Sequence, residues 1–499
     1  MLCLSFYWQG QYSHAQVPER IELIQADSAH YDEQKGKYIR MLMGNVKLKH
    51  GNAIMSCDRA NLDDLENTFE AFGNVHIFQA DTINIRGDHL FYTGDTKVAR
   101  IDGNVVMVDE DMRLTTNAIT YNMETRNGYY TSGGVLTSGR DRLTSQIGSY
   151  NGYSKRVGFR KNVKLVNPEY TMEGDTLIYG TVSKKAWFYG PTTISSEEDT
   201  IYCNYGWYNT REETASFSKR ATIVSGTNTI SGDSLDYNRN TSIGLAYDNI
   251  EVYDSKEDIR VYGNYGWSNQ LSKETMVTKD PWAKKYMDED SMYIRADTFY
   301  YRTDTADTLG KILSAYRNAS VFKQDVQAVC DSLTYRMVDS AMNLYYEPIL
   351  WTEENQITGE FISIHLKDDK IDHLEVERKA FVLSKEAEDK FNQISGKHMI
   401  SYFKDNELNS VKVIGNGLSI YYAAEDSVNY TGVNKIECSE MLLSLDSSKV
   451  TEIMFYTKPV GVFYPIDQFP EGEKRLRGFV RHDGIRPKLI DFESSKDKQ

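Results

Sequence analysis

A repeat constrains this chain more than any other feature. A small residue followed by Asp or Asn, then three residues and often Tyr, recurs along it. The clear copies are Ala26-Asp27 to Tyr31, Gly87-Asp88 to Tyr92, Gly174-Asp175 to Tyr179, Gly232-Asp233 to Tyr237, Ala296-Asp297 to Tyr301 and Cys330-Asp331 to Tyr335. Weaker copies begin at Cys57-Asp58, Thr116-Asn117, Ser145-Gln146, Cys203-Asn204, Gly263-Asn264 and Gly359-Glu360. From Asp88 to Asp233 the step is 29 residues five times running. A second motif trails the first by about 17 residues: Gly44-Asn45-Val46, Gly73-Asn74-Val75, Gly103-Asn104-Val105, then weakening through Gly133-Gly134-Val135 and Lys161-Asn162-Val163 to Asp248-Asn249-Ile250. Such a period marks a stack of similar small units, none of which buries its apolar face alone.

Apolar residues alternate with mostly polar ones after each motif, which is the period of a half-buried strand. After Gly-Asn-Val the inward set is Val46 and Leu48, Val75 and Ile77, Val105 and Met107. After the Asp it is Leu90 and Tyr92, Leu177 and Tyr179, Leu235 and Tyr237. Turn-forming pieces such as Thr93-Gly94-Asp95-Thr96, Asn122 to Thr125 and Asn238 to Thr241 separate the strands. Each 29-residue unit is therefore two strands and two turns. The expected fold is all-β: an elongated open β-jellyroll of two-strand repeats, with a β-solenoid as the alternative.

Composition narrows the function classes. The net charge of −15 repels phosphate backbones, so nucleic acid is not an expected partner. No run approaches 18 apolar residues, so no helix is expected to span a membrane. Cys57, Cys203 and Cys330 share one repeat position that Gly or Ala fills elsewhere, which reads as a small buried residue; no disulfide framework is implied. Residues 1–16 read as the remnant of a secretory signal, with small residues at Ser13 and Ala15; the other reading is a disordered or strand-forming start. Repeats then divide into 17–180 and 181–365. Degenerate β repeats fill 366–480, with a helix expected from Ser384 to Phe391, and 481–499 reads as a polar mobile tail.

The phased Ala-Asp-x-x-x-Tyr and Gly-Asn-Val motifs resemble the OstA-like family, the periplasmic lipopolysaccharide-transport proteins and the periplasmic domain of the outer-membrane translocon. The resemblance covers residues 26 to about 365. Phe391 to Lys397, Ser401 to Asn406 and Val411 to Asn416 look like the C-terminal part of long OstA-like proteins of Bacteroides type. From the residue pattern alone, a packed core and a lipid groove stand level. The resemblance implies the groove, with lipid A acyl chains held along the twelve inward residues named above. It implies a periplasmic protein associated with the outer membrane and serving its assembly. Its partners would be the jellyroll domains of the inner-membrane exporter and of the outer-membrane translocon, or a second copy head to tail.

The sequence carries no recognisable catalytic constellation. The recurring Asp fits a turn or strand-entry cap better than a carboxylate array. The cluster Asp368, Asp369, Asp372 and His373 reads as a solvated hairpin before a metal site, and Gly133-Gly134 is a repeat variant with no helix after it. No catalytic residue, metal or cofactor is expected. The rival reading is a β-helical cell-surface protein, structural or polysaccharide-active.

Overall fold

In a computed structural model the described residues are 19–31, 38–79, 82–287, 290–303, 310–368, 370–404, 407–424, 429–446 and 449–493. The expected signal remnant at 1–16 lies outside them. The described residues form 36 strands, three single-turn 3₁₀ helices and one four-residue α-helix, so the all-β expectation holds. Every pairing described is antiparallel and joins neighbours in the repeat order. By contacts the chain divides into two units, residues 1–213 and 214–499.

The first unit shows how a repeat is built. It begins with Glu22–Gln25 (β1), Ser28–Tyr31 (β2), Ile39–His50 (β3), Ala53–Asp63 (β4), Thr68–Gln79 (β5), Ile83–Thr93 (β6), Val98–Asp109 (β7) and Met112–Asn122 (β8). β3 to β8 are 11 or 12 residues each and meander by short hairpins. Asx turns close several of them: Asp63 Oδ1 accepts the amides of Leu65 and Glu66, and Asn122 Oδ1 those of Glu124 and Thr125.

β3, β5 and β7 each carry a bulge at their Gly-Asn pair, where the register jumps from Met43 to Val46, Phe72 to Val75 and Asp102 to Val105. Both residues of the pair have positive φ, 72° and 46° at Gly44 and Asn45, which Gly and Asn tolerate better than other residues. There the ribbon folds over. Tyr92 pairs with Phe69, Phe69 with Leu62, and Leu62 with Arg40, so Tyr92 lies level with Arg40, ten residues along β3 from His50. In a flat sheet that offset is about 33 Å. Instead Tyr92 Oη and His50 Nδ1 are 2.6 Å apart. The strand halves on either side of the bulge thus form two facing half-sheets with the alternating apolar residues between them.

The first and last rungs are split. β1 and β2 each pair with one half of β3, and Lys449–Tyr456 and Val460–Pro465 each pair with part of Tyr430–Asp446. Pro459 lies in the turn between these last two strands and interrupts no ladder, and Pro465 is the last residue of the second.

Two readings of the C-terminal region need correction. The segment expected to be helical is instead the end of Lys370–Lys385, a turn, and the start of Phe391–Lys404, with Ser384 opposite Asn392 and Lys385 opposite Phe391. Ladder bonds to both neighbours outweigh a helix propensity spread over eight residues. The segment taken as a tail from 481 is packed as far as it is described: the Phe492 side chain is buried, and Arg486 donates to Gln327 and to the Glu353 carbonyl.

Candidate functional site

The interior between the half-sheets is the candidate site. Val46, Leu48, Val75, Ile77, Leu90, Tyr92, Val105, Met107, Leu177, Tyr179 and Leu235 are all at most 4 % exposed. Tyr237 is the exception among the twelve: it is half-buried and donates to Gln270 Oε1. Their outward neighbours Lys47, His76 and Val106 are exposed or half-buried. Alternation therefore sorts the faces as expected, and the inward side chains of the first unit run on from strand to strand.

Two edges bound this interior, and they are fastened differently. The folded edge is held by the two sequence motifs acting on each other. Asn45 Nδ2 donates to Asp27 at 2.9 Å, Asn74 to Asp58 at 2.9 Å and Asn104 to Asp88 at 2.7 Å. In the second unit Asn249 donates to Asp233 and Asn318 to Asp297. The spacing between the motifs is thus the chain length needed to bring each Asp against the bulge of the following long strand. A methyl group on Gly73 would lie 2.4 Å from Asp58 Oδ2, so the glycine is needed for space as well as for φ. The Asp array is a structural clamp: five of its carboxylates are engaged by an asparagine, while Asp175 accepts from Thr176 and Asp331 from Ser332. The cysteines occupy the same corner: Cys57 lies opposite Val46, Cys203 opposite Thr192, Cys330 opposite Ala319 and Cys438 opposite Gly417. All four are free, and burial pushes the Cys57 thiol up to about 11 and those of Cys203 and Cys330 up to about 12.

The opposite edge is a seam where strand ends of the two half-sheets meet. Buried tyrosines bridge it. Tyr92 Oη meets His50 Nδ1 at 2.6 Å, Tyr121 donates to Gln79 at 3.0 Å, Tyr150 to Asp109, and Tyr179 to Asp141 at 2.7 Å. In the second unit Tyr301 donates to Asp254. Burial, and then the facing acceptors, push the hydroxyls of Tyr150, Tyr179 and Tyr301 above the usual tyrosine range, so they remain neutral donors. Burial works against the Asp109 carboxylate, but hydrogen bonds from Lys155, Tyr150 and Thr82 outweigh it and hold the group below the usual range.

Sequence reasoning placed the tyrosines in the interior but missed their partners. The signal was present. After each Gly-Asn-Val the inward set has a third member, and it is polar: His50 after Val46 and Leu48, Gln79 after Val75 and Ile77, Asp109 after Val105 and Met107. A polar residue at the buried end of an apolar alternation requires a partner, and the nearest inward polar atom is a tyrosine hydroxyl.

The other candidates are plain surface features. His373 Nδ1 is 2.7 Å from Asp372 and stacks on His365; Asp369 lies outside the described residues. Among the described residues no three metal-ligating side chains converge. Trp207 and Trp267, which end the repeated segments Asn204-Tyr-Gly-Trp207 and Asn264-Tyr-Gly-Trp267, are half-buried aromatics, the first beneath the Lys185 ammonium. Among the described residues no helix is long and apolar enough to cross a membrane.

Residues 18–175 match the family described as OstA-like protein. That part of the chain is OstA-like. The match ends within the Gly174-Asp175 repeat, while the motifs and the Asn–Asp clamp continue into the second unit. Among solved structures, the chain is similar to LptH of Pseudomonas aeruginosa, described as the LptA-homologous periplasmic component of the conserved lipopolysaccharide transport device. The similarity has 10 % identity, covers 24 % of this chain and 81 % of that one, and has a TM-score of 0.21. No curated protein matches the chain.

Proposed function

We propose that this protein is a periplasmic carrier of lipopolysaccharide, holding lipid A acyl chains between its half-sheets on the way to the outer membrane. The observation that carries this reading is the interior itself. It is apolar from rung to rung, clamped along one edge, and closed along the other by isolated side-chain bonds, within a segment that is OstA-like. Each buried CH₂ of an acyl chain contributes roughly 0.8 kcal/mol, so several chains bind well without cationic contacts in the interior. Because Val46, Ile77 and Met107 are fully covered, loading requires the half-sheets to part. The seam is the edge to part, since the folded edge is covalently continuous.

Among the described residues no group in the interior is arranged for catalysis, and the inward set is apolar, which favours a carrier over the polysaccharide-active rival. The split first and last rungs leave backbone groups that another jellyroll can pair with. The expected partners are the jellyroll domains of the inner-membrane exporter and the outer-membrane translocon, or a second copy head to tail. Leu23→Pro, opposite Leu48 on β1, removes a ladder donor and is expected to weaken such assembly while the stack stays folded.

The test is photo-crosslinking. Benzoylphenylalanine at Ile77 is expected to capture lipopolysaccharide, and at Lys47 or His76 not. Lipid A should also appear by mass spectrometry in extracts of the purified protein. Equal capture on both faces, or none at Ile77, rejects the groove.

A further inference from the structure

The seam of the second unit is covered by a strap. After its last strand the chain runs back across the strand ends as residues 466–493, with three single-turn 3₁₀ helices on the way. It inserts Phe469 and Leu476 into a cluster with Phe381, Leu383, Ile420, Tyr422 and Val433. Farther on, Phe492 packs against Tyr293 and Phe322, beside a cavity of about 440 Å³ that Leu489 also lines. A series of buried glutamines grips the strap, one per rung. Gln393 donates to the Lys474 carbonyl at 2.7 Å and accepts the Leu476 amide at 2.8 Å. Gln356 does the same to Val480 and His482, both at 2.8 Å. Gln327 accepts from Arg486 at 2.7 Å. These glutamines sit near strand ends bordering hairpins, as Gln79, Asp109 and Asp141 do in the first unit, but they hold a separate piece of chain where those hold tyrosines of the opposite half-sheet.

The middle of the strap is basic, although acidic residues before and after it bring residues 466–493 as a whole to a balance of six and six. Between residues 474 and 488 there are six Lys or Arg against one Asp, a net +5 in a chain of −15. Arg475, Arg477, Arg481 and Lys488 are exposed; Arg481 pairs with Asp483, the Lys488 amide donates to Asp491, and no ion pair is formed by the Arg477 side chain among the described residues. The strap therefore places cations directly over apolar side chains that enter the interior, the arrangement an anionic amphiphile presents in complement.

We propose that residues 466–493 are a displaceable cover, and that the place they hold is a binding site for a phosphorylated, multiply acylated lipid. The strap lifts but stays tethered to the strand before it: acyl chains take the positions of Phe469 and Leu476, and the arginines at 475, 477 and 481, carried outward with it, meet the phosphates at the mouth of the seam. This rests on the reading of the interior as an acyl-chain carrier and adds to it where the lipid enters and what it displaces. The polar grip suits exchange: side-chain amides hold the strap's backbone at intervals, whereas a strand in its place would be fixed by a continuous ladder.

The experiment uses the full chain and purified hexa-acyl lipopolysaccharide, with its dephosphorylated form as control. Benzoylphenylalanine is placed at Ile420, beneath the strap, or at Ile77 in the first unit. Capture is expected at both. The exposed pair Arg475→Glu with Arg477→Glu is expected to lower capture at Ile420 by about fivefold and leave Ile77 unchanged. The control lipid should be insensitive to that pair. Because a probe at Ile420 enters a packed cluster, amide exchange in the unmodified protein is the second readout: the Leu476 and His482 amides should exchange about tenfold faster or more once lipopolysaccharide is added. Capture at Ile77 with unchanged or slower exchange at Leu476 and His482 overturns the cover and leaves the carrier standing. Absence of capture at both positions rejects the carrier, and the cover with it.

Discussion

The two seams close by different means. In the first unit each rung closes itself: a tyrosine on one half-sheet reaches a polar strand end on the other, as Tyr121 reaches Gln79 and Tyr179 reaches Asp141. In the later part of the second unit Gln327, Gln356 and Gln393 bind residues 159, 126 and 83 positions or less away in sequence, all on the strap. Self-closure is local, so rungs can open one at a time. Closure by a strap ties several rungs to one segment, and they open together when it leaves. The folded edge differs from both, because there the backbone itself crosses between the half-sheets and the Asn–Asp pairs only set its geometry.

This contrast can be broken or sharpened by substitution. The largest effect is expected at the folded edge. Gly73→Val places a branched residue at φ 75° against Asp58, and should destabilise the first unit by about 3 kcal/mol in urea unfolding. A loss near zero would mean the bulge is adjustable. Next is the strap: Gln393→Ala leaves the buried Leu476 amide and Lys474 carbonyl without their partner, for about 2 kcal/mol. Amide exchange should accelerate along residues 474–482 while the first unit is unaffected. Tyr121→Phe removes one seam bond and leaves the Gln79 carbonyl oxygen facing a ring, for about 1 kcal/mol; its loss should increase lipid capture at Ile77. If Tyr121→Phe disturbs protection across the whole first unit, the rungs are not independent.

Acidity separates the seam rungs. The Asp109 carboxyl lies below its ordinary range in the folded protein, so the stability it contributes is complete above roughly pH 4 and is lost as pH falls through and below that range. Urea midpoints between pH 6 and 3 should fall more steeply for the unmodified protein than for Asp109→Asn. The Tyr121–Gln79 rung has no such dependence. The smallest effect is expected from Asp88→Asn, which keeps an oxygen acceptor for Asn104 and should cost about 1 kcal/mol or less. Transport abolished in a folded Asp88→Asn protein would contradict the structural role of the motif.

Much of the site was legible because it repeats. The Gly-Asn motif, taken from the sequence only as the start of an alternating run, falls at the bulges of β3, β5 and β7, and alternation put eleven of the twelve chosen side chains inside. Tyr237 departs because its hydroxyl is satisfied by Gln270 at a half-open position. The seam partners were missed because the alternation was read for its apolar members only, so His50, Gln79 and Asp109 passed as ordinary strand ends. The helix expected at Ser384 failed for a different reason: an N-cap and a few acidic residues are a local preference, and here a hairpin ladder decided.

The sequence by itself determined the unit: two strands, a Gly-Asn bulge, and an Asp 16 to 18 residues before the asparagine it clamps. These rest on φ, on side-chain parity and on short-range turn chemistry, all properties of neighbouring residues. Only the tertiary structure decided what closes the interior. The bond from Tyr92 to His50 and the grip of Gln356 on Val480 join residues 42 and 124 positions apart. No local pattern encodes such a pairing, since it exists only once the ribbon has folded over and the chain end has returned across the strand ends.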